Sequence, residues 1–366
     1  MKMKKIILIA GTFAAVLVSC SKTSVDVPQS EILFQVAGHS LSTKAIDDYK
    51  DNYKYVPFGT YAWFKGELSS DDRDFMTNQS VSYEESKNRW APTGTTYYWP
   101  RSGSIDFVSY SPYTGDGENA PAPTITEDGI KYPAWNVDSH PDVDVMYSDK
   151  VTGQTGNVNT YNHGYEGVPT LFRHALAKVE FRIRAMYLTK TAPTGDVTRW
   201  EITVNSLTLS NLLTTGTLEL TLGEDGSWVK PESNVWDPGT GSASHTMDVD
   251  DEEGLTTTSK TVGAPFLVLP QLLEDQVVTM NVDIKTYRDN NDGTGEHLVY
   301  TESGVEVTGH LSTDEIDRWG INQSIIYEIG FSPSLTEDDV PEPVEIWFDP
   351  AVADWEKITV TQIIQL

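Results

Sequence analysis

The residue best placed for covalent chemistry is Cys20, the one cysteine of the chain. It closes the run Leu17-Val18-Ser19-Cys20, behind Lys2, Lys4 and Lys5 and an apolar stretch from Ile6 to Val18. A basic start, a short apolar middle and a small-residue end make an export signal, and the apolar run is too short to span a membrane comfortably. Its end looks like a bacterial lipobox, in which the thiol is acylated and the cysteine becomes the first residue of the mature protein. The alternative is an ordinary secretory signal with a chance cysteine. The lipobox reading predicts a signal peptide over 1–19, lipidation at Cys20 and a polar tether over 20–30. Each buried methylene of an acyl chain adds about 0.8 kcal/mol of anchoring, so several chains hold a protein on a membrane without a spanning helix. A lone cysteine also rules out an intramolecular disulfide framework and a thiolate zinc cage.

The other reactive residue types form no such pattern. The histidines (His39, His140, His163, His174, His245, His297 and His310) are scattered, with no pair at zinc spacing and no HExxH. His174 reads as a polar contact at the start of a strand. There is no GxSxG, Walker loop or dinucleotide fingerprint. A glycosidase needs two facing carboxylates, and an acidic sequence cannot by itself exclude such a pair. Asp289-Asn290-Asn291-Asp292-Gly293 fails the EF-hand frame, which would put Arg288 at the first ligand position, and reads as a hairpin turn. Asp248–Glu253 reads as a solvated acidic loop, with adventitious calcium as its alternative. The sequence therefore predicts no enzyme, no cofactor and no metal centre.

With 54 acidic against 26 basic residues the net charge is -28, which repels phosphate backbones and argues against nucleic acid as a partner. Hydrophobic residues at 38% and aromatics at 10% suffice for a packed core. Long runs at helical spacing are missing. What recurs is short stretches of Val, Ile, Thr, Tyr, Phe and Trp bounded by Gly, Pro, Asn and Asp, the signature of an all-β chain. Strands are expected at 31–37, 56–65, 105–111, 144–148, within 171–188, 199–213, 217–222, 264–269, 277–287, 298–307, 324–331, 344–348 and 358–366. In 105–111, Ile105 and Phe107 should face one way, Val108 and Tyr110 the other. Residues 67–89 read as a long loop or a protruding hairpin, and 238–258 as a polar, acidic stretch of loop character. The Gly-, Asn- and Thr-rich stretch 150–167 is the expected domain boundary. Turn spacing suggests two β-sandwiches in tandem, each with roughly seven strands.

The two ends of this body match each other. Near the start, Ile32, Phe34 and Val36 put one apolar face on a strand, and Lys44-Ala45 follows in a polar stretch that a trypsin-like protease could cut. At the end, Ile358, Val360, Ile364 and Leu366 share a face of a strand that runs to the last residue. That strand either closes its own sheet or inserts into a neighbouring subunit, where main-chain hydrogen bonds give affinity and alternate side chains fill pockets. Removing the first strand would leave an apolar groove and an unpaired edge for such a donor.

With these features in order, the chain resembles the fimbrillin family, subunits of the protease-assembled (type V) pili of Bacteroidales-type Gram-negative bacteria. The resemblance spans nearly the whole chain. It rests on Cys20, on Tyr98-Trp99-Pro100 followed by Ile105-Asp106-Phe107, on Asp144-Val145-Met146-Tyr147, on Leu171 to Val179, and on Val352-Ala353-Asp354-Trp355. It implies two transthyretin-like β-sandwiches, over 31–167 and 168–366, and export as an outer-membrane lipoprotein at the cell surface. It also implies a processing protease, removal of the strand holding Ile32, Phe34 and Val36, and polymerisation with other pilus subunits by donor-strand exchange. A host protein or glycan is the expected adhesive partner. The family's cleavage site usually carries arginine, whereas Thr43-Lys44-Ala45 offers lysine, whose donor geometry differs. A shaft subunit and an anchor that keeps its lipid and first strand both stay open. A surface glycan-binding lipoprotein of a nutrient-uptake system is the alternative function; it requires Trp or Tyr exposed as a flat platform.

Overall fold

The computed structural model describes residues 31–37, 56–86, 89–100, 102–114, 121–155, 167–249, 253–314, 316–332, 348–352 and 356–365. Among them the chain is all β, its one helical element being a 3-10 turn at Ser69–Asp71.

The first sheet contains β1 (Phe34–Ala37), β2 (Phe58–Lys65), β3 (Arg73–Glu84), β4 (Arg89–Pro92), β5 (Ser104–Ser111), β8 (Met146–Ser148), β9 (Val151–Gln154) and β10 (Val168–His174), in the order β2-β3-β4-β1-β10-β8-β5-β9. Because β2 also pairs β5, seven of these strands close into a ring, with β9 outside it on β5. The ring encloses one core, to which every stave contributes: Phe34, Phe58, Met76, Trp90, Phe107, Met146 and Phe172 are among its buried side chains. Closure removes sheet edges, so each stave is held from both sides.

The second sheet contains β6 (Thr124–Thr126), β7 (Gly129–Asn136), β14 (Thr215–Leu222), β15 (Trp228–Val229) and β16 (Asp237–Pro238). A second core lies between it and the outer face of the ring, joining Val108, Tyr110 and Tyr147 to Ile130, Tyr132, Leu218 and Trp236. Strand β5 is therefore buried on both faces, with Ile105 and Phe107 in the ring core and Val108 and Tyr110 in the second, as the alternation predicts.

The third sheet contains β12 (Thr189–Thr191), β13 (Val197–Leu213), β17 (Ser242–Asp248), β20 (Val277–Asp289) and β21 (His297–His310); the fourth contains β11 (Ala177–Ala185), β18 (Lys260–Val268), β23 (Gln323–Ser332), β24 (Phe348–Val352) and β25 (Glu356–Gln365). They share the largest core, built from Phe181, Ile202, Leu209, Met280, Val282, Tyr327 and Phe331 among others. A two-stranded ladder of β19 (Gln271–Leu272) and β22 (Arg318–Trp319) completes the elements. Strand β11 shows the sequence signature plainly: its odd-numbered positions are buried, while Lys178, Glu180, Arg182 and Arg184 are half-buried.

Several local expectations change. Residues 67–89, read as a long loop or a protruding hairpin, contain the twelve-residue stave β3, which pairs antiparallel with β2. Its polar positions are exposed or half-buried while Met76 and Val81 enter the ring, so a barrel wall needs fewer apolar residues than a buried strand. The stretch 171–188 is two strands in different sheets: after β10 the chain turns at Ala175-Leu176, where Ala175 N–H donates to Val145 O and Leu176 O accepts from Asn322 N–H. His174 thus ends a strand. Residues 242–248, within an expected loop, form β17 against β13. Around residue 167, β10 pairs within the first sheet, and β14 pairs β7 from across that point.

A chain of charges clasps the first sheet to the second. Lys65 Nζ lies 2.7 Å from Glu127 Oε2 and 3.3 Å from Asp72 Oδ2. Lys150 Nζ donates to Glu127 O at 2.9 Å and lies 3.9 Å from Asp106 Oδ2, with 6% of its side chain and 11% of Asp106's exposed. Replacing Lys150 with methionine keeps the stem and leaves the Asp106 carboxylate buried without its cation. Chemical denaturation of Lys150→Met should show a loss of about 3 kcal/mol; a loss below ~1 kcal/mol would mean that the pair is solvated.

Candidate functional site: the first strand and the slot it fills

The segment that begins at Glu31 reaches the ring through a single bridge to Tyr98, and Ile32 N–H donates to Tyr97 O at 2.9 Å. Val168 N–H donates to Leu33 O at 2.7 Å, and β1 then runs parallel to β10, pairing Phe34 with Val168 through Ala37 with Leu171. On its other side Phe34 pairs Trp90 of antiparallel β4. The segment is thus the stave that closes the gap between β4 and β10. Ile32 and Phe34 are both 0% exposed, as their shared face in the sequence requires.

The pocket of Phe34 is aromatic. Its ring stands edge-on to Phe58, centroids 5.7 Å apart, and to Phe107 at 5.6 Å. Phe58 in turn touches Trp90 at 5.4 Å and Phe172 at 5.3 Å. Edge-to-face pairs of this kind add about 0.5–1.5 kcal/mol each beyond area burial. The sequence marks 56–65 and 105–111 as strands, but it does not reveal Phe58, Trp90, Phe107 and Phe172 as walls of one pocket; they lie far apart along the chain and only ring closure gathers them.

The β10 bank is pinned by an ion pair and by contacts of His174. Arg173 holds Asp149 in two contacts, Nε–Oδ1 at 2.6 Å and the second nitrogen to Oδ2 at 2.8 Å, and this pairing raises the guanidinium pKa further. His174 Nδ1 lies 2.7 Å from Asp144 Oδ2, and its backbone N–H donates to Asn322 Oδ1. Next to them Tyr147, on β8, is pushed up to about 12 by burial. Its hydroxyl is buried without a hydrogen-bond partner. A tyrosine raised in the folded state contributes stability that is complete below its unfolded pKa of about 10 and is lost as pH rises through the folded value. Alkaline unfolding should therefore steepen between pH 10 and about 12. Tyr147→Phe should flatten that limb and leave neutral-pH stability unchanged or higher by up to about 1 kcal/mol, since no partner is orphaned.

The end of the chain is paired within its own chain. β25 runs parallel to β23, with Gln323 opposite Glu356 and Phe331 opposite Ile364, and antiparallel to β24. Ile358, Val360 and Ile364 are backbone positions of this strand. Cys20, Lys44, Ala45 and Leu366 lie outside the described residues.

The histidines and acidic turns among the described residues have structural surroundings. His140 packs at a tilt on Trp135, and His245 stacks on Phe266. Among the described residues no group of three or more His, Cys, Asp or Glu side chains could hold a metal ion. Asp289–Gly293 is the β20–β21 turn, with Asn291 at φ 55 and Gly293 at φ 84, conformations suited to Asn and Gly. Seven tryptophans (Trp63, Trp90, Trp135, Trp200, Trp228, Trp236 and Trp319) are buried, and Tyr98 is the one aromatic among the strongly exposed large apolar residues. A flat aromatic platform for sugar is not present among the described residues.

The fold is a β-protein of packed sheets in which the first strand completes a closed ring. A sequence model of the fimbrillin-like family matches residues 43–355, and the chain belongs to that family. The family is adhesive and structural, not enzymatic. No curated protein matches the chain at a significant level. Solved structures similar to it include two candidate cell adhesion proteins. The one from Bacteroides uniformis has 16% identity, covers 90% of this chain and 100% of its own, and has a TM-score of 0.48. The one from Bacteroides ovatus has 13% identity, covers 88% and 95%, and has a TM-score of 0.39. The fimbrial anchor protein Mfa2 from Porphyromonas gingivalis has 13% identity, covers 88% and 98%, and has a TM-score of 0.28. These likenesses are too distant to carry function.

Proposed function

We propose that the chain is a pilus subunit, exported as a lipoprotein acylated on Cys20 and joined to its neighbours by donor-strand exchange at the outer surface. The observation that carries this reading is the position of the first strand: it is a stave of a closed ring, paired on both sides, with Ile32 and Phe34 in the core. Cutting the chain at Lys44-Ala45 and losing that stave opens two strand edges and an aromatic pocket at once. Such a slot is unstable until another strand fills it. The donor in this reading is the terminal strand with Ile358, Val360, Ile364 and Leu366, released from between β23 and β24. The acceptor ring takes its stave β10 from beyond residue 167, so acceptor and donor both draw on the second half, 168–366, and the first half, 31–167, supplies the other staves. Partners are other pilus subunits, the processing protease and, through the lipid, the outer membrane; a host protein or glycan is the adhesive target.

Intact-mass analysis of the protein recovered from the bacterial surface tests the processing step. A lipid-free species beginning at Ala45, in polymers, is the expected result. A species that keeps acylated Cys20 and residues 21–44 would make it an anchor that retains its own stave. A species with neither lipid nor polymer would overturn the reading.

A further inference from the structure

The slot specifies more than a strand. Its occupant puts a branched aliphatic residue, Ile32, and two positions later an aromatic ring, Phe34, into fully buried pockets. The ring pocket is lined by rings, with Phe58 and Phe107 both edge-on to Phe34. A donor of equal fit must supply a ring there, because a missing ring leaves a cavity that its aromatic walls, themselves packed on neighbours, cannot collapse to fill.

The chain's own terminal strand cannot do this. Glu356-Lys357-Ile358-Thr359-Val360-Thr361-Gln362-Ile363-Ile364-Gln365-Leu366 contains no aromatic residue, so in either direction no frame fills the ring pocket. In the direction β1 takes, parallel to β10, each frame of its apolar face has a specific fault. Ile358 in the first pocket puts Val360 in the second, which loses most of the ring volume. Val360 first puts Gln362 second, and Ile364 second puts Gln362 first; both bury an amide in an apolar pocket. Ile364 first puts Leu366 second, an aliphatic side chain where the pocket holds a ring.

We infer that the slot is built for a different subunit, whose donor strand carries an aromatic residue two positions after a branched aliphatic one, and not for the terminal strand of a second copy. This rests on the donor-strand reading above and names the partner's chemistry within it. The chain then joins unlike neighbours, and its place in an assembly is at a junction between subunit types rather than in a uniform run of copies.

The test uses the full chain with a specific protease site inserted between residues 45 and 52. After cutting, the first strand stays in place until it is displaced. Three labelled peptides compete for the slot: residues 31–40, residues 356–366, and residues 356–366 with Val360→Phe. The expected result is that the first peptide binds at least tenfold tighter than the second, and that Val360→Phe recovers most of the difference. Equal affinity of the first two peptides, with no gain from Val360→Phe, would overturn the inference while leaving strand exchange intact. Failure of all three to enter the cut protein would overturn the donor-strand reading itself, and this inference with it.

Discussion

Replacing Phe34 with alanine will lower stability by about 3–5 kcal/mol, the range for truncating a buried phenylalanine whose site cannot collapse. The residue is fully buried and its ring is the centre of the cluster with Phe58 and Phe107. Phe58 is fixed in turn by Trp90 and Phe172, and Phe107 by Trp99, so the site keeps its cavity. At about 2–4 °C per kcal/mol for a large domain, the thermal midpoint should fall by roughly 10 °C. Phe34→Leu should recover part of the loss. Scanning calorimetry decides the matter: a drop of less than about 3 °C would mean that the stave is peripheral to the ring, and the slot would then be no driving force for exchange.

On the bacterial surface, where partner subunits are present, deleting residues 356–366 should abolish incorporation into polymers while the ring stays folded. No stave of the ring comes from that segment, and the ring core draws on residues between Ile32 and Phe172. The deletion does have a local cost. β25 lies beside β23 through most of its length, so its loss bares the edge of a strand whose residues Ile325, Tyr327, Ile329 and Phe331 are in the largest core. A bare edge pairs with other chains. The truncated protein should therefore be a monomer at low concentration with a raised tendency to aggregate, and electron microscopy of the bacterial surface should show no fibres that contain it. Regular fibres containing the truncated chain would remove the terminal strand from the donor role. The two variants read opposite halves of the same proposal: Phe34→Ala weakens the occupant of the slot, and the deletion removes the plug.

Family membership makes adhesion and assembly the frame for both experiments. The burial of seven tryptophans bears on the alternative of glycan capture, since side chains committed to cores are not free to stack on sugar faces. The same cores explain why a chain so rich in aromatic residues exposes few of them.

Much of this was legible in the sequence because it depends on local chemistry. Alternation along β11 follows from the two-residue period of a strand, and so does the split of β5 into Ile105 and Phe107 against Val108 and Tyr110. The absence of helical periodicity decided the all-β class, and the shared face of Ile32 and Phe34 marked a strand to be buried. Other features needed the tertiary structure, because strand pairing joins residues distant along the chain and leaves no local trace. Stave β3 was hidden by its polar outer face, and the switch of sheets at Ala175-Leu176 by a continuous apolar pattern on both sides of it. The closure of β2 onto β5 turned a sheet into a ring and the first strand into its removable stave. The aromatic pocket exists only because that closure brings Phe58 and Phe107 edge-on to Phe34, with Trp90 and Phe172 packed on Phe58.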